Sequence, residues 1–133
     1  LRIIEDYSGT KAANLAQFYA GLSYLNTGKF KEAISHLEKY KAEDKITKPL
    51  ALGAIGDAFV ENGQKEQALD YYTKAINADK NEFTTPRFLF KAANLSIELG
   101  KKADALKYFT QIKEQYPMAN EAANIDGYIG LAQ

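Results

Sequence analysis

The sequence predicts an all-α protein, a stack of antiparallel helix pairs, on three observations. One short pattern recurs: GKFKEAI from Gly28, GQKEQAL from Gly63 and GKKADAL from Gly100. The glycines stand 35 and 37 residues apart, and self-similarity at such a period marks a repeat array. Apolar residues on either side of the first glycine keep the spacing of a helix face. Leu15, Phe18, Tyr19, Leu22 and Leu25 precede it, and Phe30, Ala33, Ile34, Leu37 and Tyr40 follow it. No alternating run competes for a strand.

Each glycine between two such runs fits a helix stop, because it adopts left-handed backbone angles without a Cβ clash. The chain therefore reads as one domain, residues 1–133, with helices expected near 11–27, 30–42, 49–62, 65–78, 86–99, 102–115 and 118–131. Thr10 is expected to cap the first complete helix. Thr85 before Pro86 reads as an N-cap followed by proline in the first turn, and Thr47 ahead of Pro49 is a looser form. Three repeats follow, over 11–42, 49–78 and 86–116. Residues 118–133 then cover the open face of the third, with Ile125, Tyr128, Ile129 and Ala132 on one stripe. At the front, RIIEDYS matches the QIKEQYP of Gln111–Pro117 in pattern, Ile3 with Ile112, Glu5 with Glu114 and Tyr7 with Tyr116. If Tyr116–Pro117 closes a second helix, so does Tyr7–Ser8. Residues 1–8 are thus expected to be the tail of a preceding repeat, with Leu1, Ile3, Ile4 and Tyr7 packed on the first complete helix.

Charge and chemistry exclude several classes. Seventeen basic and 17 acidic residues cancel, which argues against a nucleic-acid or anionic-membrane surface. There is no cysteine for a disulfide or a thiolate site, and no apolar run approaches the ~20 residues that span a bilayer. The single histidine, His36, lies mid-helix without a catalytic partner in view. Asp57 and Glu61 share a helix face at a spacing of four, but hard cations usually recruit more oxygen ligands than two, so they read as a polar groove wall. No phosphate loop, nucleophile elbow or paired-histidine motif occurs. The reading is a non-enzymatic chain without catalytic, cofactor or metal residues. An enzyme accessory domain or cryptic hydrolase using Asp57, Glu61 or His36 is the opposing class.

The repeat resembles the tetratricopeptide repeat along nearly the whole chain. Gly21 is followed by Tyr24 and Gly56 by Phe59, as small and aromatic residues are in that family's first helix. Ala33, Ala68 and Ala105 fill the small position of the second helix, with Leu37, Tyr72 and Phe109 four residues on. Pro117 matches the closing proline. The sequence departs from the family at Gln17, Leu52 and Leu89, where tryptophan is usual, and at Ala93 and Ser96 in the third unit. The resemblance implies a right-handed superhelix whose first helices line a concave groove. By register the groove would present Leu15, Phe18, Tyr19 and Leu22, then Leu50, Gly53, Ala54, Asp57 and Glu61, then Arg87, Phe90, Lys91, Asn94 and Glu98. Its partner-binding residues are expected to be Phe18, Tyr19, Leu22, Asp57, Glu61, Arg87, Lys91 and Asn94, with Phe18 and Leu22 as apolar anchors and Arg87 and Lys91 as cationic ones. Some members clamp a terminal carboxylate with lysine and asparagine on this face. Arg87 and Lys91 match that pattern, whereas Phe18 and Leu22 replace its first-unit half.

The order of DYSGTKAANLAQFYAGLSYLNTGKFKEAI, QIKEQYP and IDGYI resembles the YfgM-like envelope proteins of Bacteroidetes type. That branch implies an extracytoplasmic repeat domain behind an amino-terminal membrane anchor, on the outer side of a bacterial inner membrane near the Sec translocon and its chaperones. The implied partner is a protein or peptide, not nucleic acid, and the membrane is met only through the anchor, which this sequence lacks. A Tol–Pal coordinator or nutrient-uptake scaffold of the envelope is the neighbouring alternative.

Overall fold

A computed structural model describes the backbone from Arg2 to Gln133 and side chains from Thr10 onward. Among the described residues seven α-helices follow one another: α1 (Arg2–Asn26), α2 (Phe30–Lys39), α3 (Thr47–Glu61), α4 (Lys65–Ala78), α5 (Thr85–Glu98), α6 (Lys102–Gln115) and α7 (Ile125–Leu131). A 3₁₀ turn at Asn120–Ala122 precedes the last. No strand occurs among the described residues. α1 packs on α2, α3 on α4 and α5 on α6, and each pair stacks on the next.

The three repeated glycines close the first helix of each pair. Gly28, Gly63 and Gly100 have φ of 80°, 78° and 75°, angles that cost a side chain dearly. Beyond each, an amide reaches back to the last turn: Lys29 to Tyr24 O at 2.9 Å, Gln64 to Phe59 O at 2.8 Å and Lys101 to Ser96 O at 2.7 Å. This is the Schellman arrangement.

Within each pair a small residue admits a large one. A Cβ at Gly21 would stand 2.4 Å from Leu37 Cγ, and one at Gly56 2.7 Å from Tyr72 Cε1. Between pairs, Gly53 receives the Phe88 ring, which would lie 2.1 Å from an added Cβ. Ala33, Ala68 and Ala105 are all fully buried, as the pattern requires.

Four expectations are corrected. α1 runs unbroken from Arg2, so Thr10 lies inside a helix rather than at its start; an interior glycine costs only about 1 kcal/mol relative to alanine, and Gly9 does not stop it. The packing expected of Leu1, Ile3, Ile4 and Tyr7 lies outside the described side chains. α2 ends at Lys39, three residues early, because Tyr40 turns extended. The Tyr40 ring then packs at a tilt against Phe18, centroids 4.9 Å apart, and its hydroxyl donates to Thr47 Oγ1 at 2.8 Å. Thr85 does not cap α5. Asn81 Oδ1 instead accepts the amides of Phe83 and Thr84 at 2.8 and 2.7 Å, as Asp44 Oδ1 accepts those of Ile46 and Thr47 before α3 at 2.9 and 2.7 Å. Finally, 118–131 is not one helix. Ala123 is extended and Asn124 is left-handed, φ 61°. The expected stripe survives in the shorter α7: Ile125 and Ala132 are buried, and Tyr128 and Ile129 pack on the same core.

Candidate binding groove

α1, α3 and α5 place their outward stripes side by side, and two connected depressions run across them. The larger, about 820 Å³, reaches from Leu25 and Asn26 at the end of α1 over Val60 and Glu61 of α3 to Phe90, Asn94 and Glu98 of α5. The smaller, about 270 Å³, lies between Phe18, Leu22, Leu50 and Arg87. Asp57 and Lys91 line both and form the saddle between them.

That saddle is a closed polar unit. Lys91 Nζ stands 2.8 Å from Asp57 Oδ1. The hydroxyl of Tyr72, 4% exposed, donates to the same oxygen at 2.5 Å. Burial, reinforced by the Asp57 and Glu61 carboxylates, raises the Tyr72 pKa far above that of a free phenol, so the side chain is a permanent donor. Asp57 thus anchors α4 and α5 to α3, and Lys91 spends its charge on that carboxylate.

The other expected groove residues separate by direction. Leu22 is half-buried and lines the smaller depression. Phe18, one helical step from Tyr19, turns inward: it is 7% exposed, packed in a cluster with Leu37, Ala51, Ala54 and Ile55, and shows the depression only an edge. Tyr19 is 60% exposed. Asn94 donates to Phe90 O at 3.1 Å, with its side chain on the groove wall. Glu61 and Arg87 are exposed at opposite ends, and among the described residues neither takes part in an ion pair. Glu98 pairs with Lys65 at 3.3 Å.

His36 lines neither depression. His36 Nδ1 is 2.6 Å from Gln17 Oε1, and its ring stacks on Tyr24 at 5.2 Å. Gln17, which stands where the family usually has tryptophan, thereby holds the imidazole. Among the described residues no three of His, Cys, Asp and Glu gather as a metal site, and no helix is long and apolar enough to cross a membrane. What this face offers is an open trough of mixed apolar and charged lining.

Profiles for the tetratricopeptide repeat match residues 53–119 and 15–44. The chain belongs to the tetratricopeptide repeat family. It is 30% identical over 141 residues to the photosystem I assembly protein Ycf3 of Cuscuta obtusiflora, covering 97% of this chain and 79% of that protein. Ycf3 of Cuscuta gronovii is likewise 30% identical over 131 residues, covering 90% and 74%. Two solved structures share the fold. The TPR2AB domain of yeast Sti1, in a pHSP90 complex, superposes with a TM-score of 0.72 at 16% identity, over 89% of this chain and 46% of that one. PcrH, in complex with the chaperone-binding region of PopB, gives 0.68 at 23%, over 86% and 93%. Repeats of this family mediate protein–protein interaction through such concave surfaces.

Proposed function

We propose that this tetratricopeptide repeat chain is a non-enzymatic scaffold that holds an extended segment of a client protein in the groove across α1, α3 and α5. The observation that carries the reading is the pair of joined depressions whose central charges are already neutralised by each other. Such a trough receives main chain and apolar side chains without a strong demand for charge. Arg87 at one end and Glu61 at the other orient the client, since exposed rim charges set register and rate more than affinity. Relatives named as an assembly protein and as partners in chaperone complexes support a role in handling other proteins. The finer reading is a membrane-anchored, extracytoplasmic scaffold near the Sec translocon. It rests on the resemblance to YfgM-like proteins, and a ~20-residue apolar segment ahead of Leu1 in the gene is what it requires.

The test uses a photocrosslinking amino acid at Glu61 or Leu22 in the groove and at Lys107 on the outer face of α6, in the full chain within its source cells. The expected result is one client captured from both groove positions, absent at Lys107, and captured less in an Arg87→Glu background. Equal capture from Lys107 sinks the reading.

A further inference from the structure

A separate cleft of about 380 Å³ opens between α2, α3 and α4. It uses the other side of α3. Leu50, Ala54, Asp57 and Glu61 form the groove stripe, and Lys48, Leu52 and Ile55 form the cleft stripe; at 3.6 residues per turn the two lie roughly 160° apart. The floor is apolar, built from Leu37, Ala51, Leu52 and Ile55. The rim carries Lys41, Lys48 and Lys74 against a single carboxylate, Glu38.

Among the described residues none of the three lysines forms an ion pair. Lys48 stands in the first turn of α3, which holds no acidic residue, and a cation there opposes the helix dipole. Asp44, the acidic residue nearest in sequence, is spent on that helix end through Ile46 and Thr47. Lys41 is set in place by its backbone, which bonds both ways to the Asn14 carboxamide at 2.7 and 2.8 Å. The Lys74 ammonium lies 4.3 Å from the centre of the Tyr71 ring, and the Tyr71 hydroxyl faces Glu38 at 3.5 Å. The result is a small apolar hollow, near the lower end of the ~300–1,000 Å³ of ligand pockets, with a rim of three cations and one anion from three different elements.

We propose that this cleft docks an acidic peptide segment bearing one large apolar side chain, the apolar group on the Leu37–Ile55 floor and the flanking carboxylates on Lys41, Lys48 and Lys74. It is a second site, independent of the groove and turned away from it. Its purpose would be to hold a different partner, or a different part of the client, while the groove is occupied.

The experiment titrates a capped peptide, one phenylalanine flanked by aspartates and glutamates, into the ¹⁵N-labelled full chain. Amide resonances of Leu52, Ile55 and Tyr71 are expected to move. Lys48→Glu with Lys74→Glu should weaken binding about tenfold or more, as should raising the salt. A peptide with serine for phenylalanine should bind more weakly, and Arg87→Glu in the groove should leave the affinity unchanged. Circular dichroism confirms the fold of these surface variants. Movement confined to Asn94 and Glu98 in the groove, no movement at all, or full affinity in the double lysine variant overturns the proposal.

Discussion

Tyr72→Phe isolates the polar unit at the centre of the groove. The ring is kept, so the contact that presses Gly56 against Tyr72 is unchanged; only the hydroxyl that donates to Asp57 is lost. A hydrogen bond to a charged group contributes about 1.5–3 kcal/mol. Asp57 keeps Lys91 at 2.8 Å, so its charge is not orphaned and the low end applies, ~1.5 kcal/mol at pH 7. The sign with pH follows from the raised pKa. The unfolded phenol ionises near 10.0, whereas the folded one stays protonated well above that. Between those values the folded state binds more protons, so stability falls as pH rises. By pH 11 the parent loses about 1.4 kcal/mol of this contribution, and the phenylalanine variant loses none of it. Urea unfolding followed by circular dichroism should therefore show a midpoint gap on the order of 1 M at pH 7, nearly closed at pH 11. An equal gap at both pH values refutes the reasoning, and so does no gap at pH 7.

Ala68→Leu should cost about 1–3 kcal/mol by overpacking, because Ala68 is fully buried where its carbonyl nears Gly56; a melting temperature equal to the parent's counts against it. Ser96→Ala should stabilise by about 1 kcal/mol, because the Ser96 hydroxyl is buried without a hydrogen-bond partner in the described structure, and thermal unfolding reads this directly.

The repeat was legible because its two physical requirements fall on residue types that show in a sequence. A positive φ selects glycine, and close helix approach selects glycine or alanine opposite a large residue, as Gly21 opposite Leu37 and Gly56 opposite Tyr72. The helix ends were less legible where a side chain three residues upstream does the capping. Asp44-Lys-Ile-Thr47 and Asn81-Glu-Phe-Thr84 are one pattern 37 residues apart, and that recurrence was the signal available. At the groove, Asp57, Glu61, Arg87, Lys91 and Asn94 line the depressions. Phe18 and Tyr19 adjoin in sequence but stand ~100° apart on a helix, and the structure turns Phe18 into the cluster with Leu37 and Ile55 while Tyr19 stays exposed. The Asp57–Lys91 pair joins residues 34 apart, and sequence spacing carries no sign of which lysine meets which carboxylate.

That pairing also separates the two proposed recognition surfaces in their electrostatics. In the groove the central carboxylate and ammonium satisfy each other at 2.8 Å, so a client held there would be selected by shape and by the charge at the two ends. The cleft has no such internal pairing: three ammonium groups and one carboxylate leave an excess of positive charge over an apolar floor. Screening over about 10 Å at 0.1 M salt therefore bears far more on the cleft than on the groove. α3 separates the two environments, with Ala51 and Ile55 toward one and Ala54 and Asp57 toward the other. Its glycines, Gly53 against Phe88 and Gly56 against Tyr72, bring neighbouring helices close enough for a single helix to wall both sites.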